Sequence, residues 1–460
     1  MGRSGKHFSR SSKRHEKDHP AQVLPLNITG VAYGGKGLAR QDGKVYFVPH
    51  TIPGDSIEAI VTKSKSRFAE AKVAKFHKPS ALREDSPCPH FGGCGGCSWQ
   101  DVSLSQQKAW KLEFIQSAFS RIAKLKDIPQ IRWGSKASAT QYRNRIRLRC
   151  RVGKKGYFEF GYHQRGSHQF LPIDICTIAD RHIQQLINHM IGVKAPENWK
   201  NLFQVEVQVI CLDGAGRDDH GLLITLYKDQ YKDRVSFKEL IPLFRAVPLV
   251  QWAGTAAEGL DAPWFKLDQQ WGLNYYTRPG QFQQIHLENN QMLRDEVREQ
   301  VRKKLGPRTS RRVLDAYCGS GNLSLGLAAD GYDVTGFESN PNGIATAEYN
   351  VTKNNLTSCH YFVSDGSDAL ETMASEKQSF DLVIADPPRE GIGQAIDYLL
   401  DIDTDYLLLV GCDPTTLARD VGKLVAGNYV LEELVAFDFF PHTWHIETLA
   451  VLQRTKQTYH

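Results

Sequence analysis

Nowhere in its 460 residues does this chain string together the ~18 consecutive apolar residues of a membrane helix. Its N-terminus also lacks the apolar core of a secretory leader and is polar and basic instead. Both absences point to a cytoplasmic protein with no membrane partner and no evident obligate protein partner. Disulfides are a poor expectation there: nine cysteines cannot all pair, and clustered thiols in a reducing compartment more often bind metal or do chemistry. Excess charge is small too, since 57 Lys and Arg against 51 Asp and Glu leave +6. Four of those six charges come from residues 1–20, which carry six basic and two acidic side chains and a single aromatic, Phe8. With no apolar period, this stretch reads as a basic disordered tail. The length exceeds one core and implies about two to four domains.

What is present falls into three rhythms. Residues 21–80 run in short β-rich pieces with glycine turns, such as "GKVYFVPH". About five strands of this kind suggest a small OB-like barrel, with any small β-domain as the alternative. Residues 81–270 hold a cysteine cluster, a helical piece near 105–125 and mixed α and β, an α+β pattern. Within them "QYRNRIRLRCRV" alternates Arg143, Arg145, Arg147, Arg149 and Arg151 with Asn144, Ile146, Leu148, Cys150 and Val152. Period two means a strand with five guanidiniums on one face. Such a row repels itself, so phosphate contact is the expectation and a solvated face the alternative. From 271 to 460 an amphipathic helix leads into βαβα order, hence an α/β, Rossmann-like doubly wound sheet with its ligand at the strands' carboxyl ends.

Chemistry concentrates at that edge. "VLDAYCGSGNLSLGLA" reads as a buried strand, a turn at Gly319 and Gly321, and a helix. Glu338 ends the next strand, at the spacing of a carboxylate that accepts from ribose hydroxyls. Ser324 stands where a dinucleotide fingerprint has its third glycine, which argues against NAD and suits S-adenosylmethionine. "FDLVIADPPREGI" places Asp386 just beyond another strand. Arg389 follows where amino-group methyltransferases carry an aromatic, which weakens that alternative. "LLLVGCDPTTLARD" sets Cys412 at a strand's polar exit, before a helix whose positive end is expected to lower the thiol's pKa. A core cysteine is the bland reading. "FFPHTWHIETLAVLQR" adds His442 and Glu447 at the mouth of a last strand. A thiol, a base and a methyl donor at one edge are the needs of uracil C5 methylation, since a thiolate adding at C6 makes C5 nucleophilic and a base then removes its proton.

These motifs resemble those of the uracil-5 RNA methyltransferases, in particular the iron–sulfur branch that acts on 23S ribosomal RNA; the likeness runs from about Ala21 to Arg454. It implies a TRAM module for the N-terminal barrel, Cys412 as nucleophile and Glu447 as base. It also implies cofactor contacts from Gln284 in "RPGQFQQIH", from Tyr317, Gly319, Asn322 and Glu338, from Asp365 in "YFVSDGSD", and from Asp386. Departures stand at His286, Gly411 and Asp413. In "PCPHFGGCGGCSWQ" the cysteines Cys88, Cys94 and Cys97 match the branch's cluster motif, and Cys176 would be the fourth ligand. Zinc is the alternative for four thiols; the lopsided spacing with the resemblance favours a [4Fe–4S] cluster that pins the cysteine loop to the arginine-bearing domain. The same chemistry on tRNA or on another rRNA site, or a non-catalytic RNA-binding assembly factor, are the rival functions.

Overall fold

The computed structural model describes residues 22–197, 199, 203–212, 220–228, 237–306 and 311–455; the expected basic tail lies outside them. The chain divides into two compact units, one ending at Arg83 and the other beginning at Glu84. Among the described residues, no helix is long and apolar enough to cross a membrane.

The first unit is a six-stranded sheet in the order Val23–Asn27, Ser56–Ser64, Phe68–Lys78, Lys44–Val48, Gly37–Gln41 and Gly30–Val31, one strand more than expected. Alternating residues fill its core, among them Leu26, Tyr46, Val48, Ile57 and Ala71. Buried Asp55 closes the unit by accepting the Ile52 and Ser80 amides, each at 2.8 Å, and the Arg83 guanidinium.

The second unit contains two larger sheets. One runs Phe170–Pro172, Phe158–His163, Arg145–Val152, Phe203–Cys211, His220–Lys228 and Val250–Thr255. Helix Arg181–Ile191 covers its apolar face, packing Ile183, Leu186 and Ile187 with Ile146, Leu148 and Val207. The other is eight-stranded: Cys359–Val363, Asp333–Glu338, Arg312–Ala316, Leu382–Ala385, Tyr406–Gly411, Glu447–Arg454, Tyr429–Phe437 and Ile131–Trp133. Its first five strands are parallel and Glu447–Arg454 runs against them. The near-continuous apolar runs of Leu382–Ala385 and Tyr406–Gly411 suit strands covered by helices on both faces. Strand Ile131–Trp133 comes from the segment expected to belong to the central domain, so that segment completes the C-terminal sheet. The early helix spans Leu104–Arg121, shorter than the sequence suggested.

The arginine strand corrects one expectation. Arg143 precedes the strand, and three of the five guanidiniums meet carboxylates of this chain. Arg145 and Arg147 both hold Glu206, at 2.8 and 2.7 Å, and Arg151 holds Glu159 at 2.8 Å. Arg147 also lies over Tyr227 and Arg151 over Phe170. The strand register explains this: Glu206 lies directly opposite Arg147, and Gln208 opposite Arg145. The sequence row shows the arginines but not the acid that a neighbouring strand brings to the same face.

Candidate active site

Parallel strands end together at their carboxyl termini, and the candidate residues follow from that alignment. Ala316 pairs with Phe337 and with Ala385, while Ala385 pairs with Leu409. The Gly-rich turn, Glu338, Asp386 and Cys412 therefore leave the sheet at the same edge. Strand Glu447–Arg454 enters where those strands exit, with Thr448 opposite Gly411, so Glu447 starts its strand beside Cys412.

The turn after Arg312–Ala316 has the backbone of a cradle. Gly319 and Gly321 take φ of +56° and +77°, and Tyr317 holds +62° despite its side chain, a strained position that its surroundings must impose. A β-carbon on Gly321 would fall 2.9 Å from the Tyr361 hydroxyl, and one on Gly366 would enter the Tyr317 ring. Beneath the turn, Ser324 donates to buried Asp315 at 2.5 Å and meets the Tyr361 hydroxyl at 2.8 Å. The residue in the third-glycine position is thus a strut of the turn. Burial pushes the Asp315 carboxyl up to about 7. From outside, Asn350 donates to the Ser320 carbonyl at 3.2 Å. Asn290 of the helix Leu287–Leu305 exchanges two 2.9 Å hydrogen bonds with Asn322. The Asn322 amide is therefore committed to holding the turn. Glu338 uses Oε1 for the Ser339 hydroxyl and the Asn340 amide, at 3.1 and 2.9 Å. Asp365 caps the helix Gly366–Ser375 by accepting the Ser367 amide at 2.9 Å, close enough to Tyr317 to help raise its phenol to about 12, after burial.

The segment carrying Gln284 has no regular structure and is held by its neighbours. Arg145 donates to the Gln281 carbonyl at 2.6 Å, Thr346 to Gln281 Oε1 at 2.8 Å, and the Asn144 amide to the Ile285 carbonyl at 3.0 Å. Gln284 is half-buried, and Phe282 beside it is 76% exposed. His286, where the resemblance leads one to expect Asn, caps the next helix by accepting the Asn289 amide and stacks on Tyr142 at 4.7 Å.

At the other end of the edge the groups are charged and crowded. Burial, then the Glu447 charge, push the Cys412 thiol up to about 12, and Arg389 draws it down. The expected lowering by the following helix fails for a visible reason. Asp413 is the N-cap of Pro414–Ala426 and accepts the Thr415 amide at 2.8 Å, so a carboxylate occupies the helix's positive end. Burial and Asp386 raise the Glu447 carboxyl well above its ordinary value, again opposed by Arg389. Asp386 itself is raised to about 7 by burial and by Glu338. Two carboxyls and a thiol at one low-dielectric edge cannot all ionise together. Among the described residues, Arg389 is the guanidinium acting on both Cys412 and Glu447, and its loop is strapped down: Thr416 and Arg419 donate to the carbonyls of Arg389 and Glu390, at 3.1 and 2.7 Å. Its place in the hexapeptide "DPPREG" was the available signal. His442 does not stand at this mouth; it is buried and tied to Gln107. His445 takes that position, its imidazole pushed down to about 4 by burial and by Arg389.

Residues 280–455 match the family model described as tRNA (uracil-5-)-methyltransferase, and residues 19–74 match the TRAM domain. An RNA methyltransferase of Protochlamydia amoebophila, itself uncharacterized, is 31% identical over 439 residues, covering 93% of this chain and 96% of its own. The chain belongs to the RNA uracil-5-methyltransferase family. This methyltransferase is also 29% identical to the 23S rRNA (uracil(1939)-C(5))-methyltransferase RlmD of Salmonella choleraesuis, over 94% of its own length and 96% of that protein. Its fold matches that of the Pyrococcus abyssi tRNA (uracil-54, C5)-methyltransferase solved with S-adenosyl-L-homocysteine, with a TM-score of 0.65 and 22% identity over 93% of this chain and 100% of that one. It is therefore an S-adenosylmethionine methyltransferase fold with an N-terminal TRAM domain. The left-handed glycine turn and the unshared Glu338 Oε2 suit such a donor.

The four cysteines singled out by the sequence line one pocket together with Tyr162, Ile173 and Ile178. Cys94 accepts the Gly96 amide at 3.4 Å and Cys97 the Gln100 amide at 3.2 Å. Among the described residues, no three His, Cys, Asp or Glu side chains are grouped as ligands for a single metal ion. Burial raises the Cys97 thiol to about 11, and Cys94 and Cys176 move in the same direction.

Proposed function

We propose that this methyltransferase converts a uridine of 23S rRNA to 5-methyluridine through a covalent intermediate on Cys412. One observation carries the reading: the pairing of Gly411 with Thr448 sets Cys412 and Glu447 side by side where Asp386 also leaves the sheet. Cys412 adds to C6 of a uracil turned out of its stack, with Arg389 favouring the thiolate. Tyr317, Glu338 and Gln284 around the Gly319–Gly321 turn would hold S-adenosylmethionine, which would supply the methyl group to C5 and leave as S-adenosylhomocysteine. Glu447 then removes the C5 proton, the C5–C6 double bond re-forms and Cys412 leaves. A carboxyl raised by burial is a stronger base once ionised, which suits an acid as weak as C–H. Asp386, partly protonated near neutral pH, is a donor and acceptor for the uracil edge. Exposed Phe282 offers an apolar face to a base.

Cys88, Cys94, Cys97 and Cys176 would hold a [4Fe–4S] cluster, which would supply a rigid anchor for the loop. The four thiols line one pocket, which supports a shared metal centre, with zinc the alternative to the cluster. The relatives named for 23S rRNA favour that substrate; tRNA is the second reading, supported by the fold match. The test uses RNA carrying 5-fluorouridine, in which fluorine replaces the C5 hydrogen and cannot leave as a cation. A stable methylated protein–RNA adduct is expected, absent in Cys412→Ser. Near-normal methylation by Cys412→Ser would overturn the scheme, and mapping 5-methyluridine in cells lacking the gene separates 23S rRNA from tRNA.

A further inference from the structure

Two side chains of the helix Leu104–Arg121 take no part in this chemistry, yet their placement is demanding. Gln107 and Lys111, one turn apart, are both fully buried, which costs an amide and an ammonium dearly unless each finds partners. Both find them in the turn 438–442. Gln107 Oε1 accepts the His442 amide at 2.9 Å, while its Nε2 donates to the carbonyls of Trp99 and Val102, at 2.9 and 2.7 Å. Lys111 Nζ lies 2.6 Å from Asp438 Oδ1 and 3.2 Å from the Phe440 carbonyl. The His442 carbonyl in turn accepts two amides, from Ser98 at 2.9 Å and Trp99 at 3.0 Å. Ser98 directly follows Cys97, whose sulfur lines the four-thiol pocket. His442 holds a φ of +65°, a left-handed conformation that a non-glycine residue keeps only where its surroundings impose it. Cysteine loop, buried helix face and turn are thus joined by hydrogen bonds, and five residues beyond His442 the chain enters its last strand at Glu447.

We propose that Gln107 and Lys111 are positioning residues for Glu447: they lock the turn 438–442 to the cysteine loop, so that order in the four-thiol pocket sets the place of the base. The proposal rests on the reading of Cys412 as nucleophile and Glu447 as base. Its consequence falls first on Glu447, because Gln107 and Lys111 hydrogen-bond the turn 438–442, whereas the helix Leu104–Arg121 meets the helix capped by Asp413, beyond Cys412, through apolar side chains such as Ile115 and Phe119. After addition and methylation, C5 carries both a proton and the methyl group. Glu447 takes the proton, the C5–H electron pair becomes the C5–C6 double bond, and the C6–S bond breaks to return the thiolate. Loosening the turn slows that last step and leaves the earlier ones in place.

The test compares Gln107→Ala and the double variant Lys111→Met/Asp438→Asn, which replaces the buried ion pair by neutral groups of similar size. Each is given methyl donor with two RNAs, one containing 5-fluorouridine and one normal. The fluorinated RNA counts the molecules able to add and methylate. Turnover on normal RNA, divided by that count, isolates proton removal and is blind to any unfolded fraction. Normalised turnover should fall about ten- to a hundredfold, the scale of a catalytic group displaced by ~1 Å, with methylated adduct accumulating on normal RNA. Cys176→Ala should show the same split, together with faster amide hydrogen exchange across 438–447. If adduct count and turnover fall in proportion, or normalised turnover stays at the wild-type value in both variants, the positioning role is overturned. A split in those variants with normal exchange and turnover in Cys176→Ala would overturn the link to the thiol pocket. A wild-type protein that forms no adduct overturns the Cys412 reading and this proposal with it.

Discussion

Replacing Glu447 by Gln tests the division of labour at the sheet edge. The change keeps the shape of a side chain that is only 5% exposed and removes its ability to accept a proton. General-base catalysis is worth about 10²–10⁴ in rate, so turnover should fall by that factor. The first half of the reaction responds in the opposite sense. After burial, the Glu447 charge does most to raise the Cys412 thiol, to about 12. Above the pH at which Glu447 ionises, its charge works against the thiolate and Arg389 works for it. A neutral Gln removes the opposing charge, so adduct formation should extend to lower pH than in the wild type. On denaturing gels with a labelled methyl donor, Glu447→Gln should trap a methylated adduct on normal RNA. Turnover within tenfold of wild type, or no trapped adduct at any pH, would show that another group removes the proton.

Anaerobically purified protein should contain iron and absorb as an iron–sulfur protein, and Cys176→Ala should lose both; stoichiometric zinc without iron would refute the cluster. Arg147→Ala with Arg151→Ala should leave the slope of log K against log[salt] for RNA binding within about half a unit, because both guanidiniums are held by Glu206 and Glu159. Lys72→Ala with Lys75→Ala, both exposed on the inner strand Phe68–Lys78 of the TRAM unit, should flatten it by about two. Asp315, raised to about 7, makes the folded state bind more protons than the unfolded one between about pH 4 and 7. Its contribution to stability therefore falls as pH rises through that window, by at most about 1.4 kcal/mol per pH unit. Denaturant titrations should show Asp315→Asn lacking this fall; parallel pH profiles for the two proteins would refute it.

Patterns that depend on one segment at a time were legible in the sequence. The alternation of Arg145–Val152 shows in its burial, and the helix Leu287–Leu305 spans the amphipathic stretch read from the row. The edge where Cys412, Asp386 and Glu338 leave the sheet followed from βαβα order, since parallel strands end on one side. What the row hid were partners brought from another strand or helix. Glu206 pairs with Arg145 and Arg147, which lie 61 and 59 positions earlier. Asn290 takes the amide of Asn322 across a separation of 32. His442 looked like a mouth residue because it lies near Glu447 in sequence, and its partner Gln107 is 335 positions away.

Those hidden partners share a physical logic. The site needs a thiol and two carboxyls in a dry edge where each raises the proton affinity of the next, which by itself destabilises the fold. Arg389 is a cation that both Cys412 and Glu447 feel, and it lies exposed. The buried cation, Lys111, is instead placed on Asp438, behind the turn that feeds the base strand. The two charges therefore serve different ends. Arg389 acts on the titrating groups of the edge, and Lys111 holds the backbone of the turn behind it. Exchanging them would fail both ways: an ammonium in place of Arg389 loses the planar fork suited to a carboxylate and a carbonyl at once, and a bulkier guanidinium at position 111 has no room in a site where Lys111 is already fully buried.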